Sequence, residues 1–205
     1  MKPIPIDIND LKYLLCLLTA KSVRYTKYFK ILKYAMKEMK NEKYTIHQHL
    51  HNFAVWTSSR AVQRCFTSTK NIANAIESSG LRNFVETFNG IGKAEFENFH
   101  IKCAQKITTT LKKENCTYGI AAKIIAVYLK TSLVIYSKGM NCENIHPPLD
   151  RILLTNFKKC NGLKNYIYKP WTQLDKKAYW KLISLIEKQE GNVSWEIEKF
   201  WKPFK

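Results

Sequence analysis

Turn-forming residues are scarce in this chain. It has seven glycines and six prolines among 205 residues, and none of the prolines falls between Ile6 and Ile145. Sheet-rich folds draw on both residues at their turns, so the shortage excludes a many-stranded fold, and no alternating strand pattern of useful length competes. The six cysteines, at 16, 65, 103, 116, 142 and 160, form no CxxC pair or other short ligand spacing. That removes the zinc frames. With only Cys160 beyond 142, it also removes a C-terminal iron–sulfur cluster, which needs closely grouped cysteines. Buried, reduced thiols and no cofactor are expected. Long apolar runs are missing too: Leu14 to Ala20 is far too short to span a bilayer. It follows Asp7 and Asp10 where a signal peptide carries positive charge. The chain therefore reads as soluble and cytoplasmic, with no membrane partner. Acidic residues are also few, sixteen against thirty-four lysines and arginines, leaving a net charge of +18. Such an excess repels itself unless a polyanion screens it, which makes nucleic acid the first partner to consider, with association at the nucleoid.

What is present is globular. Hydrophobic residues make up 45% of the chain and aromatics 13%, enough to exclude disorder for the bulk. Apolar residues recur three and four apart, as in Tyr25, Tyr28, Phe29, Leu32 and Met36 and again in Phe53, Trp56, Ala61 and Phe66. Thr69 can cap a helix over 71–79 that Gly80 ends. Further helices are expected over 95–113, 120–136, 151–159, 172–189 and 193–201. The expected architecture is an all-α single domain of about eight to ten helices, monomeric, with a basic and aromatic helical part over 1–44 and a core over 45–205. Residues 21–44 interleave basic residues with tyrosines and a phenylalanine. This pattern suits either a solvated helix face or a surface that holds phosphates and stacks bases.

The stretch Tyr118-Gly119-Ile120-Ala121-Ala122-Lys123-Ile124 carries the chemistry. A hairpin over 115–126 is expected, with one helix ending near Asn115, a turn through Gly119 and a new helix. Such a turn would offer the unpaired backbone N–H groups of Gly119, Ile120, Ala121 and Ala122 to a DNA phosphate. Twenty-seven residues after Lys123, Pro147-Pro148-Leu149-Asp150-Arg151 leads into the apolar run Ile152-Leu153-Leu154. Asp150 there is an N-cap candidate. Cleaving an N-glycosidic bond builds positive charge on a sugar, which a fixed carboxylate stabilises. A partly desolvated lysine can lose its proton and attack the anomeric carbon, giving an intermediate that becomes a Schiff base.

Together these segments resemble the helix-hairpin-helix DNA glycosylases, whose usual hairpin reads Gly-hydrophobic-Gly-x-Lys and whose essential aspartate follows an apolar loop. Gly119, Ile120 and Lys123 match; Ala121 stands for the second glycine and Tyr118 for a common proline. The spacing to the aspartate and its proline-rich approach are nearest the archaeal 8-oxoguanine glycosylase branch. Over roughly 45–200, the resemblance implies a helical glycosylase acting on double-stranded DNA by base flipping, with Asp150 and Lys123 catalytic. The implied substrate is an oxidised purine such as 8-oxoguanine in DNA repair. A hypermodified phage pyrimidine, excised in antiviral defence, is the second class. Strand cleavage at the abasic site by lysine Schiff-base (AP lyase) chemistry would accompany a lysine nucleophile. A non-catalytic helix-hairpin-helix DNA- or RNA-binding module is the rival reading, and it has no use for Asp150 beyond the cap.

His47, His49 and His51 lack an evident further metal ligand and match no HExxH or deaminase motif, so no metal is expected. His51, Trp56 and His146 are instead the candidates for a base pocket.

Overall fold

The computed structural model describes residues 44–62, 66–163 and 169–204. Ile46–Lys205 is a compact unit in itself, apart from Met1–Thr45. The expected helix through Tyr25 and Met36, the basic and aromatic stretch up to Lys43, and Cys16 and Cys65 all lie outside the described residues.

Every regular element among the described residues is helical. The helices are α1 (Ile46–Val62), α2 (Thr69–Ser79), α3 (Leu81–Glu86), α4 (Lys93–Thr110), α5 (Tyr118–Leu129), α6 (Arg151–Cys160) and α7 (Lys176–Glu190). Three 3₁₀ turns, Lys112–Glu114, Trp171–Gln173 and Trp195–Phe200, and a π-turn, Lys130–Val134, complete them. The helix expected over 172–189 starts only at Lys176, after the Trp171–Gln173 turn, and a 3₁₀ turn takes the place of the helix expected over 193–201. No helix among the described residues is long and apolar enough to cross a membrane. Four cysteines are free thiols: Cys103 and Cys142 are buried, Cys116 is half-buried and Cys160 is exposed, so the expected burial fails at Cys160. Burial pushes the Cys103 thiol up to about 12.

The core is built round α5, which is apolar on all sides and buried along nearly its whole length. Such a helix can only be stable at the centre, and it packs against α1, α3, α4, α7 and the Trp171–Gln173 turn. Its sole charged residue is Lys123. Ser68, one residue before the expected Thr69, caps α2 by accepting the Asn71 N–H at 3.2 Å, and Gly80 ends it at φ 88°.

The turn into α5 differs from expectation. Asn115, at φ 56°, makes it, whereas Gly119 lies inside the helix that Thr117 caps by accepting the Ile120 N–H at 3.2 Å. The glycine serves close approach. Its N–H donates to Leu174 O at 2.9 Å, and a Cβ there would stand 1.9 Å from Trp171 O. No side chain fits that gap. Gly119→Ala must therefore push 171–174 off α5, and we expect a loss of about 2–3 kcal/mol in denaturant unfolding. An unchanged midpoint would show that this contact contributes nothing to stability.

Between α4 and α7 lies a buried aromatic cluster in which two histidines are held neutral. His100 shares hydrogen bonds with Tyr118 OH at 3.2 Å and Tyr179 OH at 3.4 Å, and His146 with Tyr179 OH at 3.2 Å. Burial first, then the Lys93 charge, drives His146 down to about 3; burial, then His146, lowers His100. From about pH 6.5 down to these folded values, the unfolded chain binds protons that the native state refuses. This part of the stability is complete above pH 6.5 and is lost on acidification. His146 alone should cost about 2 kcal/mol at pH 5, with His100 acting in the same direction. The thermal midpoint should fall by about 4–8 °C between pH 7 and pH 5. A flat midpoint over that range would contradict the buried neutral pair.

Candidate active site

Two helix starts build the site. Pro147 and Pro148 carry the chain in, and Asp150 caps α6 in extended geometry (φ −138°, ψ 178°), its Oδ1 accepting the Leu153 N–H at 2.9 Å. Its other oxygen does something else. Oδ2 accepts from Lys123 Nζ at 3.1 Å and from Trp201 Nε1–H at 3.1 Å. Lys123 rises from the second turn of α5, its side chain 8% exposed against 22% for Asp150, and it also lies 3.5 Å from Pro148 O. The Trp171 ring stands 5.8 Å from the ammonium, held there by the contact of its turn with Gly119.

Burial is the dominant influence on Lys123, and it lowers the pKa below the ordinary lysine value against the opposing pull of Asp150. A buried lysine is rare without a partner; this one has a partner and still gives up its proton more readily than usual. The helix dipole, which would push the same way, is not needed to explain the shift.

Lys123 and Asp150 border a cavity of about 410 Å³ that also involves Thr57, Trp171, Glu198 and Trp201. That volume is within the usual range of about 300–1,000 Å³ for small-molecule and cofactor pockets. Val127, Lys130 and Thr131 line it as well, because positions four, seven and eight after Lys123 return to the same helix face. Lys130 pairs with Glu198 at 2.5 Å and lies 5.2 Å from the Trp201 ring centre. Thr131 and Thr57 share a hydrogen bond at 3.1 Å. The cavity thus offers two indoles, two hydroxyls, a cation and a carboxylate beside the amine.

Other expected site residues fall elsewhere. The stretch 119–122 is not an open phosphate cradle. Gly119, Ile120, Ala121 and Ala122 are buried, and the N–H groups of the first three are taken by Leu174 O, Thr117 Oγ1 and Thr117 O. None of the three residues expected at a base pocket lines the Lys123 cavity. His51 bridges Tyr128 OH at 2.8 Å and Glu77 at 2.9 Å beside a separate cavity of about 260 Å³. Trp56 is exposed and stacked on Phe53, and His146 belongs to the buried aromatic cluster while also lining a further cavity beside Pro147 and Pro148. His47 meets the edge of Tyr136. The sequence reading missed Thr57, Lys130, Thr131, Trp171, Glu198 and Trp201. The spacing from Lys123 would have found Lys130 and Thr131; nothing local marks the other four. No protein-family model matches the chain, and no curated protein or solved structure matches it.

Proposed function

We propose that this protein is a DNA glycosylase of the helix-hairpin-helix kind, with Lys123 as nucleophile and Asp150 as its carboxylate partner. One observation carries the reading: a buried lysine amine, its pKa lowered by burial, lies 3.1 Å from a helix-capping carboxylate at a cavity flanked by two tryptophans. A base flipped from duplex DNA would stack against the indoles, with Lys130 as donor and Glu198 as acceptor for its edge.

The neutral amine of Lys123 attacks the anomeric carbon. The C–N bond to the base breaks, its electron pair leaving with the base, which takes a proton from water. Positive charge on the sugar peaks beside Asp150, where the carboxylate offsets it. Loss of the remaining amine protons and opening of the sugar ring then give an imine, which water hydrolyses or which eliminates the 3′ phosphate. A module that only binds nucleic acid supplies no reason to bury an amine against desolvation. The resemblance favours an oxidised purine over a hypermodified phage pyrimidine, and the +18 charge suits duplex DNA.

Duplexes carrying single oxidised or hypermodified bases, incubated with the protein and then treated with alkali, should break at the modified base. Borohydride present during the reaction should leave protein covalently on DNA. No abasic site and no adduct on any duplex would overturn the reading.

A further inference from the structure

The Lys123 cavity has a neighbour. A second cavity of about 340 Å³ is walled mainly by apolar groups, among them Val134, Ile135, Ile145, Pro147 and Trp195. Its floor is held in place, since the Trp195 ring lies against Gly139, where a Cβ would come within 2.7 Å of it. Lys130, Pro148 and Glu198 stand in the walls of both cavities. One proline and the two members of an ion pair are thus common to both cavities. Lys130 is 30% and Glu198 21% exposed, so water can take up both charges when the pair parts, and such pairs open at little cost. A compact base needs only the first cavity. The second has no use in the chemistry above, yet it joins the first at the edge where Lys130 and Glu198 would meet the base.

Building on the glycosylase reading, we propose that the substrate class includes bases carrying a bulky, largely apolar substituent, which passes between Lys130 and Glu198 into the second cavity. The apolar walls supply the affinity. A substituent of single-ring size fits the volume, and the two charged side chains turn outward along its sides.

Three duplexes differing at one base test this: 8-oxoguanine, O6-benzylguanine and C8-anilinoguanine, compared by single-turnover excision. Expected is release of at least one of the two bulky bases at a rate within ten-fold of 8-oxoguanine. Val134→Phe, which fills the second cavity, and Ile135→Trp, at its exposed rim, should each slow bulky-base release at least ten-fold. Both should leave 8-oxoguanine release within two-fold. Ile135 is 62% exposed, so that variant folds even where Val134→Phe does not. Release of 8-oxoguanine with neither bulky base released overturns the proposal, as does bulky-base release that both folded variants leave unchanged. No release from any of the three duplexes overturns this proposal, whereas the glycosylase reading falls only if the oxidised and hypermodified duplexes described above also give no abasic site and no adduct.

Discussion

Lys123→Gln should fold like the parent, give no borohydride adduct and lose base excision by about 10³-fold or more, since it removes the amine held 3.1 Å from Asp150. Stability should be nearly unaffected. A lysine whose folded pKa is below 10.5 carries fewer protons in the native than in the unfolded state between those two values, so stability rises with pH across that window. Below that window the native state bears the whole cost of the desolvated ammonium. Glutamine removes that cost, and its amide N–H can still donate to Asp150 Oδ2. We therefore expect a thermal midpoint within a few degrees of the parent's, as is common when a strained functional group is neutralised. The pH dependence supplies an independent check. Adduct formation by the parent should rise with pH and level off below the value for an ordinary lysine. If the variant excises bases at the parent's rate, Lys123 is a structural contact. If it binds DNA more weakly while still excising, Lys123 is a phosphate ligand and the attacking group is water.

The parts of this site that could be read from the sequence are those fixed by neighbours in the chain. A single charged residue in the otherwise apolar run Tyr118–Leu129 announces a buried lysine with a task, because desolvation would select against it otherwise. Pro-Pro-Leu-Asp before an apolar run announces a cap. Their meeting, across 27 residues, follows once α5 is central and the Pro148–Asp150 approach to α6 passes Lys123. Gly119 misleads for the opposite reason. Glycine before a helix suits an anion site and a close packing contact equally well, and what decides between them is Trp171 and Leu174, more than fifty positions away. The tryptophans of the cavity were illegible on the same grounds. Trp201 reaches Asp150 only because the last turn is 3₁₀ and ends beside it, and no local pattern carries that information. His146, so near Asp150 in sequence, points instead into the aromatic cluster with Tyr179.

Asp150→Asn should cut excision by about 10²–10³-fold, the scale on which loss of one preorganised electrostatic group is felt, and unlike Lys123→Gln it should also destabilise the fold. Asparagine caps helices about as well as aspartate when the cap is its only duty. Here both oxygens accept, Oδ1 from Leu153 and Oδ2 from Lys123 and Trp201. An amide presents one oxygen and one NH₂, so whichever way it turns, a donor faces a donor. Keeping the cap sets the NH₂ against the ammonium and the indole; reversing it gives up the cap. Either arrangement costs about 1–3 kcal/mol, a fall of several degrees in the thermal midpoint. Without its anion the Lys123 amine should lose its proton still more readily, so the residual borohydride adduct should approach its plateau at lower pH than in the parent. That shift separates the two duties of Asp150. A cap alone, which asparagine serves as well, would leave the midpoint, the excision rate per folded molecule and the pH profile of trapping all where they were. The loss of rate together with the displaced profile requires the carboxylate to act on the amine and on the charge that the sugar develops.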